Sequence, residues 1–464
     1  MSVRALYTAL CLLAGLSFQE NFVLAGSSVP VPLAASSVPV IRVKVGPLRP
    51  RVVISGDRLQ FQKVVSGIPQ LIGEHPEVRS WEVLCDPKGT GIVLRALDAA
   101  RGQIPISERI QHGSLEIRSR SGLFSIDGKP YRSLLSLHSG FSVRSRSGRG
   151  SAAQADSRAD LGCIAVNHLE FEQYLEGLVN HEFSSKWAES AVEAQVIAAR
   201  TYALYRVQEE RKSTHSLYDL ESDEKDQVYG GAEKEDSKAS QAVRRTRGLV
   251  LVAAQKLRPH LDAVRLTSSA PNRQGGEGAI PATHLKPLKA YYHSTCGGGT
   301  ELPEQVWGAP SPGFKRRVSC AWCSDSPKYQ WKAQFGGREL ASTLKSPFKA
   351  GIPAQLEAVR VKAHSPSGRV DRVELKWREP RSKFIRWSEM SAQDFRMKLG
   401  AGRILSTWFT ILGDQRQGWT FTGRGYGHGV GLCQWGAKNM GARGLSTQAI
   451  LAHYYPDSQV ARAW

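Results

Sequence analysis

YLEGLVNHEFSSKWAESAVEAQVIAARTYAL, residues Tyr174–Leu204, carries the strongest periodic signal in the 464-residue chain. Just before and within it, Leu169, Phe171, Tyr174, Leu175, Leu178 and Val179 fall at the spacing of one apolar helix face. Ser184-Ser185 breaks that pattern. The following WAESAVEAQVIAARTYALYRVQEER has helical period, good helix formers and neither Gly nor Pro. Two helices joined by a tight turn are therefore predicted, with Glu182 at the junction. Phe183 and Trp187 beside it would desolvate the carboxyl and raise its pKa, as a general acid near neutral pH requires. The plainer alternative is a helix-end glutamate that favours the next helix's N-terminus.

Working outward, the pattern on the N-terminal side changes to short alternating runs separated by turn residues. IRVKV, RVVISG, DRLQFQKVV, GIVLRAL, SLEIRSRSGLFSI and SLLSLHSGFSV read as strands. The expected fold class is α+β: a β-rich N-terminal domain over 41–165, then a mixed α/β catalytic region over 166–464 whose helical pair carries Glu182. Residues 208–240 and 268–288 read as surface insertions, and RGLVLVAA (247–254) as a buried strand. Further strands, LEAVRVKAHSP, GRVDRVELKW and ILSTWFTIL, are expected around a helical SEMSAQDFRMKLG.

At the start, Arg4 precedes an apolar run over 5–18, and Val23-Leu24-Ala25 forms an A-x-A-like cleavage site before Gly26. This predicts a signal peptide over 1–25, a Pro/Ser-rich linker over 26–40, and an exported protein of periplasm or cell wall with no membrane span after cleavage. The alternative is an uncleaved anchor. Cys11 would leave with the peptide. A formal net charge of +20 fits anionic surroundings such as wall polymer, lipid or nucleic acid. No nucleic-acid-binding motif accompanies the charge, so nucleic acid is not expected as a partner.

Two further clusters carry chemistry. His293-x2-Cys296 with Cys320-x2-Cys323 offers four N/S ligands of the kind found at structural zinc sites. A disulfide from Cys296 to Cys320 or Cys323, or free thiols, are the competing readings. Near the C-terminus, GRGYGHGVGLCQWGAKNMG (423–441) places glycine at every second position up to Gly431. It contains no G-x-G-x-x-G in register and no P-loop spacing. Alternating glycines suggest a place where an extended polymer lies close to backbone, with His428, Gln434 and Trp435 supplying hydrogen bonds and a stacking face. A merely structural glycine-rich turn is the alternative.

Taken in order, these segments resemble the stage II sporulation protein D family, which includes the amidase enhancers. The resemblance rests on residues 174–204, DQVYGG (226–231), AVRRTRGLVL (242–251), YYHSTCGGGTE (291–301), SGRV (367–370), FRMKLG (395–400), residues 423–444 and ILAHYYP (450–456). It implies a peptidoglycan lytic transglycosylase that cleaves between N-acetylmuramic acid and N-acetylglucosamine, preferring denuded strands, and leaves 1,6-anhydromuramic ends. By the same resemblance Glu182 is the catalytic acid/base, and Gln195, Arg200, Tyr202, Tyr426, His428, Gln434 and Trp435 bind glycan. Arg200 is expected to hold a muramic carboxylate. The chemistry requires no cofactor, and some relatives carry a structural zinc. The other reading the family suggests is a non-enzymatic wall-binding protein that stimulates a partner amidase. Cys433, where the glycine loop often has serine, departs from the pattern.

Overall fold

The structure is a computed structural model that describes residues 38–74, 76–86, 91–97, 107–111, 113–139, 162–213, 216–254, 286–344, 346–348, 354–379 and 384–464. The expected signal peptide, nearly all of the linker and most of the 268–288 insertion lie outside these residues. Residues 38–464 form one unit, and the fold is α+β.

The first nine strands are β1 (Val40–Lys44), β2 (Arg51–Gly56), β3 (Leu59–Val65), β4 (Ile68–Glu74), β5 (Ser80–Cys85), β6 (Gly91–Ala96), β7 (Ser107–Gln111), β8 (Ser114–Ile126) and β9 (Lys129–His138). They join β10 (Ile164–Glu170) and, further along the chain, the two-residue β11 (Leu220–Glu221) in one large sheet. Its order is β11-β1-β10-β9-β8-β2-β5-β6-β7, with β3 paired to β8 and β4. Strand alternation decides which face is covered: Ile41, Val43, Val52, Ile54, Phe61, Trp81, Val83, Leu115, Ile117, Leu135 and Leu137 are all buried. The expected boundary at 165 falls inside β10, which pairs with both β1 and β9. The sheet therefore runs directly into the helical region.

That continuity places the helices. β10 passes without a loop into α1 (Phe171–Glu182), whose Phe171, Tyr174, Leu175, Leu178 and Val179 are buried as the spacing predicts. Each such side chain contributes roughly 1.5–3 kcal/mol of burial. α1 ends because Phe183 turns to extended backbone and the Asn180 carboxamide accepts the Ser185 N–H at 2.9 Å. α2 (Glu189–Glu210) follows. It is buried on nearly every side, and its alanines at 191, 194, 198, 199 and 203 let neighbouring elements approach closely.

The segment 208–240 differs from the expected surface insertion. Asp219, Leu220, Gln227 and Tyr229 in it are buried. It docks through Gly177 of α1, where a Cβ would lie 2.4 Å from the Gly231 carbonyl oxygen. A side chain at 177 would hold residues 226–231 away from the helix. α3 (Ser237–Arg245), capped by Asp236, and β12 (Leu249–Ala253) then pack on α2.

The rest of the chain holds β13 (Tyr292–His293), α4 (Pro303–Trp307), β14 (Gln330–Phe335), α5 (Gly337–Leu344), β15 (Gln355–His364), β16 (Val370–Arg378), β17 (Ile385–Ser391), α6 (Ala392–Leu399), β18 (Phe409–Asp414), β19 (Gly418–Arg424), β20 (Leu432–Cys433), α7 (Gln434–Ala442), α8 (Thr447–Tyr454) and β21 (Ser458–Arg462). Sheets β14-β19-β18 and β15-β16-β17 enclose their own core around Trp331, Trp377, Phe395, Phe409 and Phe421. The expected helix of SEMSAQDFRMKLG begins only at Ala392. Ser391 caps it by accepting the Asp394 N–H, and the preceding residues pair with β16 as a strand. Parallel pairing of β13 with β20 brings the glycine-rich segment back beside residues 291–296.

Cys85 and Cys163 form a disulfide across 78 residues. Cys163 lies just before β10 and Cys85 ends β5, so the bond ties β5, near the β7 edge of the large sheet, to the strand that leads into α1. Replacing both cysteines with serine should lower the unfolding free energy by about 2–4 kcal/mol, read as a lower denaturant midpoint under oxidising conditions.

Candidate active site

Glu182 is the last residue of α1 and half-buried at the junction of the two helices. Its carboxylate accepts the Val228 N–H at 2.5 Å and the hydroxyl of Tyr292. Desolvation pushes its pKa up to about 7, against the lowering pull of those two donors. The environment of Glu182 is itself built from buried polar groups. The Gln227 amide donates to the Tyr292 oxygen at 2.9 Å and to the Ala199 carbonyl at 3.2 Å, while its oxygen accepts the Tyr174 hydroxyl at 2.9 Å. Gln227 and Val228 both belong to the segment that Gly177 lets in.

Gln434 reaches the same place from the C-terminal side, its amide donating to the Glu182 carbonyl oxygen at 3.4 Å. Next to it, the ring of Trp435 lies 6.1 Å from that of Trp187, which is 6.4 Å from Phe183. Trp187 and Trp435 are both partly exposed and form an aromatic wall beside Glu182. A second aromatic group stacks Tyr291 on Trp307 at 4.4 Å, with His428 5.1 Å from Trp307 and 5.6 Å from His293. Burial lowers the pKa of both histidines, that of His293 to about 3. His428 is therefore a neutral imidazole, and its Nδ1 accepts the Val430 N–H at 3.0 Å.

The other expected residues divide. Gln195 is buried on α2, and neither its amide nitrogen nor its oxygen has a protein hydrogen-bond partner. Tyr202 is mostly buried and donates to Asp226 at 3.2 Å. Tyr426 is half-buried, packs against the core of the two small sheets, and is tied through its backbone to Thr295. Arg200 is a correction. It has no exposure, and its fork is filled by Glu172, Thr246, Val243 and Leu249, so no muramic carboxylate can reach it. Val228, Tyr292, Gln227 and Trp307 were not singled out from sequence, whereas Trp187 was expected beside Glu182. DQVYGG and YYHSTC held three of them, but a backbone donor leaves no residue-type signature.

The glycine alternation also has a different cause from the one expected. Gly425, Gly427, Gly429 and Gly431 all have positive φ, and each faces the protein's own chain. A Cβ at Gly431 would lie 2.0 Å from the Tyr291 carbonyl oxygen, and one at Gly429 2.7 Å from the Arg369 guanidinium. The room the glycines leave is filled by residues 291–296 and Arg369, and polymer has no place there.

The expected ligand set changes as well. Sγ atoms of Cys296, Cys320, Cys323 and Cys433 lie within 4.8 Å of one another, all buried and none in a disulfide. His293 stands outside the group, its Nδ1 hydrogen-bonded to the Val430 carbonyl at 3.1 Å. Cys433, which the pairing of β13 with β20 carries inward, takes the fourth place. Neither the His293 ligand set nor the Cys296 disulfide is found, and four buried thiols are a donor set that could bind a metal.

A family profile described as stage II sporulation protein matches residues 160–252, the segment that carries Glu182 and Val228. A second, described as a domain of unknown function, matches 321–431. An uncharacterized protein of Brachyspira hyodysenteriae is 30% identical over 293 residues, covering 63% of this chain and 67% of its own. Stage II sporulation protein D of Bacillus amyloliquefaciens is 27% identical over 302 residues, covering 64% and 76%. The amidase enhancer of Bacillus subtilis is 24% identical, covering 61% of this chain and 39% of its own length.

Because the folded-state pKa of Glu182 lies above its unfolded value, the folded chain binds that proton more tightly. The stability so gained is fully present below about pH 4.5 and is lost as pH rises through about 7. Glu182→Gln should therefore leave stability unchanged near pH 4 and raise it by about 1–3 kcal/mol at pH 8, measured by denaturant unfolding at both pH values. A second variant, Gly431→Ala, should lose about 1–3 kcal/mol through strain and overpacking, seen as a lower midpoint.

Proposed function

The chain belongs to the stage II sporulation protein D family, and from that premise we propose that it is an exported lytic transglycosylase acting on the glycan of peptidoglycan. The observation that carries the reading is the Glu182 carboxyl, desolvated to a pKa of about 7 yet held by the Val228 N–H and the Tyr292 hydroxyl. Near neutral pH such a group is populated in both protonation states, as an acid that must later act as a base requires.

Protonated Glu182 donates to the glycosidic oxygen as the bond from that oxygen to the muramoyl anomeric carbon breaks. The resulting carboxylate, stabilised by its two donors, takes the proton of the muramoyl 6-hydroxyl. That oxygen closes on the anomeric carbon to give the 1,6-anhydro ring, and Glu182 is again protonated. Water is not consumed, so the second carboxylate of a hydrolysing glycosidase is unnecessary. Nearby Asp226 is in any case committed to Arg206, Tyr202 and the Glu221 N–H. Trp187 and Trp435 offer stacking faces for sugar rings, and His428 and Gln434 offer hydrogen bonds. In this reading the four-cysteine cluster holds a structural zinc that cross-links chain segments, and no step of the reaction runs through it.

Purified protein incubated alone with denuded peptidoglycan should release products with 1,6-anhydromuramic ends, identified by mass as lacking one water relative to hydrolysis products. Glu182→Gln should abolish release and keep glycan binding, whereas full activity in that variant would overturn the mechanism. Activity should fall as pH rises above about 7, where the acid is lost. Trp435→Ala should raise KM about 3–10-fold with kcat little changed. Absence of any cleavage, with stimulation of an added wall amidase, would favour the enhancer reading instead.

A further inference from the structure

The four cysteines come from three separate parts of the chain. Cys296 follows β13, Cys320 and Cys323 lie between α4 and β14, and Cys433 caps α7. Cys296 and Cys323 have their sulfurs 3.4 Å apart without a bond. That is close to the sulfur–sulfur separation in a tetrahedral thiolate shell with metal–sulfur bonds of about 2.3 Å. Polar hydrogens are also aimed at the sulfurs. The backbone N–H groups of Cys296 and Gly436 point at Cys433 Sγ at 3.3 and 3.4 Å, and the Tyr454 hydroxyl lies 3.2 Å from Cys320 Sγ. Gly436 is needed for this approach, because a Cβ there would strike the Tyr454 oxygen and come within 3.0 Å of Cys320 Sγ.

Beside the thiols lies a buried charge with no ion pair among the described residues: Arg369 faces the Trp408 ring, 5.1 Å from its centroid, and feels the Glu301 carboxylate only through space. Arg369 is 1% exposed, and its Nη2 donates to the carbonyls of Cys296 at 2.6 Å and Gly299 at 3.3 Å. Its Nε and Nη1 donate to nothing, and among the described residues it makes no ion pair. The nearby buried Glu301 carboxylate is taken up by Ser365, Ser367 and the Leu302 N–H. A guanidinium cannot shed its charge in a protein, and a buried unpaired charge costs several kcal/mol. A divalent ion in four thiolates carries a net charge of −2 and would add a direct counter-charge to the weaker attraction of the Trp408 ring and the Glu301 carboxylate.

We propose that Cys296, Cys320, Cys323 and Cys433 hold one zinc-class divalent ion as a tetrathiolate, and that Arg369 is its counter-charge. Arg369 also clamps the Cys296 carbonyl, so it fixes one ligand as well as balancing the site. This deepens the zinc assignment of the proposed function and rests on it. The ion ties residues 293–300, 320–323 and 423–436 together. Because Gln434 follows Cys433 directly, it also sets the wall that meets Glu182. The role is structural, since the thiolates fill all four positions and leave none open for a substrate or water.

Metal content and cobalt spectra test the proposal, read on both the wild-type protein and Glu182→Gln, so that failure of the glycan-cleaving reading leaves them unaffected. Protein purified without chelator should contain one zinc per chain, and cobalt exchange should give the charge-transfer and d–d bands of a four-sulfur tetrahedral site. Cys433→Ser should lose the four-sulfur spectrum, and His293→Gln should keep it. Arg369→Gln should weaken zinc binding about 10–100-fold. Arg369→Lys, which keeps the charge and loses the fork, should recover most of that affinity. Absence of metal with a mapped disulfide among the four cysteines would overturn the site, and iron in place of zinc would overturn the metal. Wild-type affinity in Arg369→Gln, or no recovery in Arg369→Lys, would overturn the counter-charge role.

Discussion

The ion pair between Arg200 and Glu172, buried between α1 and α2, is the contact on which the rest of the structure depends. Arg200 donates to both Glu172 oxygens, to Thr246 and to the Val243 and Leu249 carbonyls. Glu172 in turn accepts the Gly248 N–H and the Trp464 indole. One pair therefore joins α1, α2, α3, β12 and the C-terminal residue. Such a pair need not be more stabilising than well-packed hydrocarbon, but removal of one member strands the other as a buried charge. What it enforces is the placement of α1 against α2. Glu182 lies ten residues beyond Glu172, about 15 Å along the helix axis, so a small tilt at the pair becomes a large displacement of the carboxyl.

With the helices so fixed, two chain segments complete the environment of Glu182 from opposite ends of the sequence. Residues 226–231 bring a backbone donor through the gap at Gly177, and residues 423–435 bring Gln434 and Trp435 through the pairing of β20 with β13. Tyr174, Tyr202 and Tyr292 lie close by, and burial raises the pKa of each phenol, so all remain neutral donors. Around a carboxyl whose pKa of about 7 lets it change charge near neutral pH, the protein has placed groups that hold their own charge constant. On the proposed reading, this electrostatic arrangement is organised before any substrate binds.

The sequence disclosed what rests on periodicity. The strands of the large sheet and the helix pair follow apolar spacing, and Glu182 at their junction could be picked out with its aromatic neighbours. What it could not disclose depends on which distant segments touch. Arg200 looked like a cleft residue from family resemblance and its planar fork, whereas its carboxylate partner lies 28 positions earlier and fills that fork. Residues 208–240 looked like surface because they are polar, yet Gln227 and Asp219 are buried with their hydrogen bonds satisfied within the protein. His293 seemed a ligand by proximity in sequence to Cys296. The ladder between β13 and β20 sets it directly opposite Cys433, and the thiol enters the cluster in its stead. In the glycine run, composition revealed that something lay against the backbone without revealing that it was the chain itself.

Six cysteines in the described residues are divided between two opposed chemical states. Cys85 and Cys163 are oxidised to a disulfide, whereas the other four are free thiols held close enough for an external oxidant to bridge them. A folding chain therefore meets conflicting demands from its surroundings, since the oxidant that closes the first pair threatens the remaining four. Cys85 and Cys163 precede the other cysteines in the sequence, and the later four are all buried in the folded chain. A bridge misplaced among those four would therefore distort the meeting point of residues 293–300, 320–323 and 433, and with it the position of Gln434 beside Glu182.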